Sequence, residues 1–194
     1  FPKNKFHFPL TLVSSDLPVG IKHIAGISSQ IKSAAILAGL NAFGKTTIIE
    51  KKIKSRDHTE IMLKHNSAIK IKKGEKNIIE IKGKRALEPI NISVPGDPST
   101  ASQYAALCLL NKDSKIILKR VHINPTRIGF FNIIRKHNGK IIFKNKRMEG
   151  NDEIVADVHI KSSKIKNLNV EGKLFVSCQD EYPLMFAMAA LLPG

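Results

Sequence analysis

Tryptophan is absent from this chain, and tyrosine and cysteine occur only twice each in 194 residues. Cys108 and Cys178 are too few and too far apart for a disulfide framework or a zinc knuckle, which points to a reducing compartment. Aromatic residues make up 6% of the chain, so the stacking platforms on which single-stranded nucleic acids are read are missing. No apolar run is long enough to cross a bilayer, and no signal peptide is visible. The chain does not begin with methionine and stops at Leu192-Pro193-Gly194, directly after an apolar segment. It is therefore expected to be a piece of a longer polypeptide.

What the chain does have is positive charge, +16 at neutral pH, and enough hydrophobic residues (42%) to bury a core. The charge favours anionic partners such as a phosphorylated metabolite, an acidic surface or nucleic acid. The lysines lie on every segment instead of forming one basic arm, and isoleucine and asparagine are abundant with them. Such spread is the mark of a compositional bias. A basic nucleic-acid-binding module is the non-enzyme alternative, and the scattered lysines count against it.

The order of the chain shows a repeat. Phe6, Phe8, Leu10 and Leu12 alternate as in a half-buried strand. Ser28-Ser29-Gln30 then opens a helix whose apolar positions Ile31, Ala34, Ala35 and Ala38 predict a buried face. Thr46–Ile49 reads as a strand, and Ser55 or Asp57 caps a second helix running into Ile61-Met62-Leu63. A hairpin follows, with Ile69, Ile71, Ile79 and Ile81 on its dry side. The same order recurs: a helix from Asp97 to Leu110, a strand at Ile116–Leu118, a helix opened by Asn124-Pro125-Thr126-Arg127, and strands at Ile141–Phe143 and Ile154–Ile160. A third copy begins at Asp180-Glu181-Tyr182-Pro183. Units of about 70–80 residues alternating helix and strand predict an α/β class built from repeats.

Four helix starts carry polar clusters, at Ser28-Ser29-Gln30, Ser55-Arg56-Asp57, Asp97-Pro98-Ser99 and Asp180-Glu181-Tyr182-Pro183. Helix N-termini present free N–H groups and the positive end of the dipole, so several converging in one cleft would hold an anion. Each residue also has a plainer reading. Ser28 or Ser29 is a natural N-cap, and Arg56 is a partner for Asp57 or Glu60. Asp180, at the mouth of an apolar helix, is either an N-cap or a partly desolvated carboxyl suited to proton transfer. His58 is read as structural, and the remaining histidines have no metal-ligand spacing.

Taken together, Ser28-Ser29-Gln30-Ile31-Lys32-Ser33-Ala34, Leu37-Ala38-Gly39-Leu40, Ser55-Arg56-Asp57-His58-Thr59-Glu60, Val94-Pro95-Gly96-Asp97-Pro98-Ser99, Asn124-Pro125-Thr126-Arg127 and Asp180-Glu181-Tyr182-Pro183 resemble the 5-enolpyruvylshikimate-3-phosphate synthase family in order and spacing. The Ser-Arg-Asp-His-Thr-Glu and Asp-Glu-Tyr-Pro forms look like its bacterial class known for tolerating glyphosate. Ser-Ser-Gln and Asp-Glu-Tyr-Pro fit this family and not its sister, UDP-N-acetylglucosamine enolpyruvyl transferase, the alternative enzyme.

The resemblance implies the enolpyruvyl transferase fold, an inside-out α/β barrel of repeated units in two globular domains. Residues 1–95 would form the last part of one domain and residues 96–194 the first part of the other. It implies transfer of the enolpyruvyl group of phosphoenolpyruvate to the 5-hydroxyl of shikimate 3-phosphate, with release of phosphate. No metal, organic cofactor, nucleic acid or membrane is expected, and the full-length protein would be a cytoplasmic monomer. Ser28, Ser29 and Gln30 would contact shikimate 3-phosphate, the serines at its phosphate and Gln30 also near phosphoenolpyruvate. Arg56 would lie in the same phosphate region. Asp180 would bind the ring hydroxyls and take part in proton transfer. The family's other phosphoenolpyruvate-binding motifs fall outside this chain, which alone is expected to be inactive and only partly folded. The pair Cys178-Gln179 departs from the more apolar pair usual before that aspartate.

Overall fold

The computed structural model describes residues 11, 13, 15–51, 54–150 and 152–192. The alternation at Phe6, Phe8, Leu10 and Leu12 lies outside the described residues. The first repeat unit is led by strand β1 (Lys22–Ala25) and contains α1 (Ser29–Asn41), β2 (Lys45–Glu50), α2 (His58–Leu63), β3 (Ile69–Lys72) and β4 (Asn77–Lys82). The second has α3 (Pro98–Leu110), β5 (Lys115–His122), α4 (Gly129–Lys136), β6 (Lys140–Glu149) and β7 (Glu153–Lys161). A one-turn α5 (Phe175–Cys178) and the apolar α6 (Tyr182–Leu191) follow.

The two units share a topology. In the first sheet the order is β1-β2-β4-β3, with β1 parallel to β2 and the other pairs antiparallel. In the second it is β5-β7-β6, all antiparallel. In each unit the last strand lies between the two strands that precede it in the chain, which is the sheet equivalent of the sequence repeat. Both sheets are open; the described residues form no closed barrel. Residues 85–95 join the units without helix or strand, and Arg120 holds this connection by donating from Nη1 to the Val94 carbonyl at 2.9 Å and from Nη2 to the Ser93 carbonyl at 3.0 Å.

Alternation in β3 and β4 turns Ile69, Ile79 and Ile81 inward, where they pack with Ile36 and Ile48 under α1. The second core is larger, with Phe130, Phe131, Ile133 and Ile134 of α4 meeting Val158 and Ile160 of β7 and Met185 and Met188 of α6.

The face of α1 differs from expectation. Ile31, Ala34 and Ala38 are exposed, and the buried stripe is Lys32, Ile36 and Gly39. Apolar residues occur on every side of this helix, so hydrophobic spacing alone does not select one face. Two contacts select it. Lys32 has carboxylates to meet beneath the helix, and Gly39 allows close approach, since a Cβ there would stand 2.9 Å from the Cβ of Thr46 in β2. The helix is left with an exposed apolar outer side at Ile31 and Leu37.

Candidate functional site

The first turn of α1 is built by serine. Ser28 is the N-cap, and its Oγ accepts from the Ile31 amide at 3.4 Å. The Ser28 and Ser29 hydroxyls both donate to Gln30 Oε1, each at 3.2 Å. Three polar side chains thus share one helix start, with Gln30 exposed and the serines half-buried.

This turn is fixed to the next helix through Lys32. Its ammonium is fully buried and meets Glu50 Oε1 of β2 at 2.9 Å and Glu60 Oε1 of α2 at 2.6 Å. Glu50 also accepts from the Ser55 amide at 2.8 Å, the Ser55 hydroxyl at 3.0 Å and Asn77 Nδ2 at 2.9 Å. Burial pushes Glu50 up, but Lys32, the Ser55 amide and Asn77 outweigh it, and the carboxyl titrates below its ordinary value. Glu60 shows the opposite balance. Burial dominates, one oxygen has no partner among the described residues, and its carboxyl is raised despite Lys32. A hydrogen bond of 2.7 Å between Ser33 and Thr59 completes the tie between α1 and α2.

The segment Arg56-Asp57-His58 at the start of α2 carries contacts to the second unit and to the turn that follows it. Arg56 Nη2 lies 2.5 Å from Asp180 Oδ2, across 124 residues of sequence. Arg56 is well covered, with 12% of its side chain accessible, while Asp180 keeps 46%. Asp57 occupies the N-cap position but makes no capping bond; its Oδ1 accepts from Asn124 Nδ2 at 2.7 Å. Ser55 is likewise spent on Glu50. Neither expected cap therefore acts as one, because long-range partners take both side chains. Arg56 does not pair with its neighbours either.

Asp180 differs from both readings made of it. It sits in a 3₁₀ turn before α6 and makes no capping bond, and it is not desolvated. The buried carboxyl is its neighbour Glu181, 3% exposed. Burial raises Glu181 above its ordinary value, with Asp180 adding to the rise and the Ser99 hydroxyl, Arg127 and Arg56 opposing it. Ser99 Oγ donates to Glu181 at 2.5 Å, and Arg127 Nη2 bonds both Asp97 Oδ1 and Ser99 Oγ at 2.9 Å. Asp97 caps α3 as expected, accepting from the Thr100 amide at 2.8 Å. Cys178, a turn earlier, is buried, and its thiol is pushed up to about 11 by burial and by Glu181.

The last contact joins His58 Nδ1 to Glu153 Oε1 at 2.9 Å, and the other oxygen of Glu153 meets His122 Nε2 at 2.5 Å. Burial raises the Glu153 carboxyl, but the two imidazoles outweigh it and hold it at about 2. This trio, like the burial of Glu181, is invisible to motif reading. Its members stand at 58, 122 and 153 with no common spacing, whereas a lone lysine in an otherwise apolar helix was a signal for the Lys32 triad.

Four motifs thus meet: Ser-Arg-Asp-His-Thr-Glu, Val-Pro-Gly-Asp-Pro-Ser, Asn-Pro-Thr-Arg and Asp-Glu-Tyr-Pro. The Ser-Ser-Gln turn joins them through α2, and its own bonds stay within the turn. Chemically, α1 offers two hydroxyls at a helix N-terminus suited to an anion, and the Arg56–Asp180 pair offers a guanidinium beside an accessible carboxylate. No helix among the described residues is long and apolar enough to cross a membrane.

A sequence model of the family described as EPSP synthase (3-phosphoshikimate 1-carboxyvinyltransferase) matches residues 3–191. The chain is 44% identical over 170 residues to the 3-phosphoshikimate 1-carboxyvinyltransferase of Sulfurihydrogenibium sp. (strain YO3AOP1), covering 87% of this chain and 39% of that protein. It is 37% identical over 191 residues to the protein of the same name from Novosphingobium aromaticivorans, covering 96% and 43%. An EPSP synthase structure from Acinetobacter baumannii superimposes with a TM-score of 0.76 at 33% identity, over 92% of this chain and 40% of that one. The chain spans about two fifths of the length of the curated relatives it matches.

Proposed function

Because this chain belongs to the EPSP synthase (3-phosphoshikimate 1-carboxyvinyltransferase) family, we propose that it supplies the shikimate 3-phosphate side of that enzyme's active site. The reaction moves the enolpyruvyl group of phosphoenolpyruvate to the 5-hydroxyl of shikimate 3-phosphate and releases phosphate. The observation that carries the reading is the Arg56–Asp180 pair, a guanidinium fork against an accessible carboxylate 124 residues away in the chain.

Ser28 and Ser29, with the free N–H groups of α1, hold the substrate phosphate. Gln30 reaches the shikimate ring and the phosphoenolpyruvate beside it. Arg56 contributes a charge-assisted bond to the same phosphate region. Without substrate, its guanidinium is engaged by Asp180; an arriving phosphate competes for it and frees the carboxylate. Asp180 then binds the ring hydroxyls and accepts the proton that the 5-hydroxyl must lose as its oxygen attacks the enolpyruvyl carbon. On this reading residues 1–95 and 96–194 belong to two globular domains that meet at the substrate. The full-length protein is a cytoplasmic monomer that uses no cofactor.

The test is binding of shikimate 3-phosphate by calorimetry to a polypeptide of the relatives' full length carrying this chain. Loss of a charged hydrogen bond costs about 1.5–3 kcal/mol, roughly a 10- to 150-fold loss of affinity, so Arg56→Ala is expected to weaken shikimate 3-phosphate by that factor. Phosphoenolpyruvate affinity should change much less. The reverse order would move Arg56 to the other substrate.

A further inference from the structure

His58, His122 and Glu153 come together from three different elements. His58 is the first residue of α2, His122 the last of β5 and Glu153 the first of β7. Each offers a donor atom, and the three atoms lie within 4.8 Å of one another. The two imidazole rings stand 4.8 Å apart, tilted by 55°. The carboxylate bridges them through both its oxygens. His58 has a nitrogen to spare: Nε2 is buried, and no described residue bonds to it.

We propose that these three side chains form a binding site for a divalent transition cation of the zinc type. Two imidazoles and one carboxylate are a zinc donor set that leaves a fourth position open. Magnesium and calcium, which prefer all-oxygen surroundings, fit it poorly. At zinc–nitrogen and zinc–oxygen lengths of about 2.0–2.1 Å, tetrahedral ligands stand about 3.3 Å apart, so the donor atoms need to close by at most about 1.5 Å, which is within reach of side-chain rotation. A cavity of about 420 Å³ borders all three residues and leaves room for a water in the fourth position. The two buried cysteines take no part.

The consequence is a clamp. Cation binding fixes the start of α2 to the second sheet, and Arg56 lies two residues before His58, so the cation steadies the backbone that carries that arginine. The three ligands are not among the residues assigned to the reaction, and zinc binding by them does not depend on that assignment.

The experiment titrates zinc into the metal-free polypeptide of the relatives' full length carrying this chain, in competition with a chromophoric chelator, then repeats the titration with cobalt. One equivalent of zinc is expected, with the visible bands of four-coordinate cobalt. Loss of even an outer-shell partner weakens metal binding about 10- to 100-fold, so His122→Leu and Glu153→Gln are each expected to weaken zinc at least about 100-fold. His65→Ala, a surface histidine paired with Asp152, should leave binding unchanged. Circular dichroism confirms folding, and His58→Ala replaces either variant that fails to fold. No stoichiometric binding to the folded chain, or affinity undiminished in His122→Leu and its companion variant, would overturn the proposal.

Discussion

Lys32→Met removes the one positive charge from beneath α1 and leaves the packing volume nearly intact. The two carboxylates it served are then left buried, at 2% and 7% side-chain exposure. They do not suffer equally. Glu50 keeps three donors from Ser55 and Asn77. Glu60 loses the partner of Oε1, and its Oε2 already has no partner among the described residues. Breaking a buried ion pair by deleting one partner costs about 3–5 kcal/mol. With a urea m-value of about 2–3 kcal/mol/M, the unfolding midpoint should fall by roughly 1–2.5 M. Replacing the pair together, Lys32→Met with Glu60→Met, removes the stranded carboxylate and should recover most of the loss, because apolar substitutes for buried ion pairs are commonly tolerated. Urea unfolding followed by circular dichroism, on the family-length polypeptide, reads both numbers. A single variant that loses less than about 1 kcal/mol, or a double variant no better than the single, would refute the view that Lys32 neutralises buried charge.

Glu181 gives a pH prediction. Its folded carboxyl titrates above the ordinary 4.5, mainly through burial, so the folded state holds that proton more tightly than the unfolded state. Its contribution to stability is complete below 4.5 and is lost as pH rises through the raised value. Glu181→Gln should flatten the fall in stability above pH 4.5, measured by thermal unfolding across pH, and an unchanged slope would contradict the burial argument. Cys178, with its thiol near 11 and no exposure, should resist a thiol reagent at neutral pH until denaturant is added. Rapid modification of the native chain would place that helix turn at the surface.

The order of elements was readable from sequence because alternation and helical spacing are local. The recurrence of helix, strand, helix and hairpin predicted two units, and the two sheets with the last strand in the middle have that form. The inward face of α1 was not readable. Its residues are apolar all round, and the deciding contact is a lysine reaching two glutamates 18 and 28 positions away. Caps failed for a related reason. Ser55 and Asp57 have the right chemistry for a helix start, but Glu50 and Asn124 engage them first. Adjacent carboxyls cannot be told apart by sequence, so the desolvation expected at Asp180 fell on Glu181, which points toward Ser99 while Asp180 points toward Arg56. The histidine pair was invisible because its members are brought together only when α2 packs against β5 and β7.

The central claim is that Asp180 accepts a proton in enolpyruvyl transfer. The most direct measurement is phosphate release from shikimate 3-phosphate and phosphoenolpyruvate by the family-length polypeptide, with Asp180→Asn beside it. The account predicts release that requires both substrates and falls by about two to four orders of magnitude in the variant, the usual contribution of a positioned acid or base. Release that persists at a near-normal rate in a well-folded Asp180→Asn protein, or that requires a nucleotide sugar in place of shikimate 3-phosphate, would contradict it.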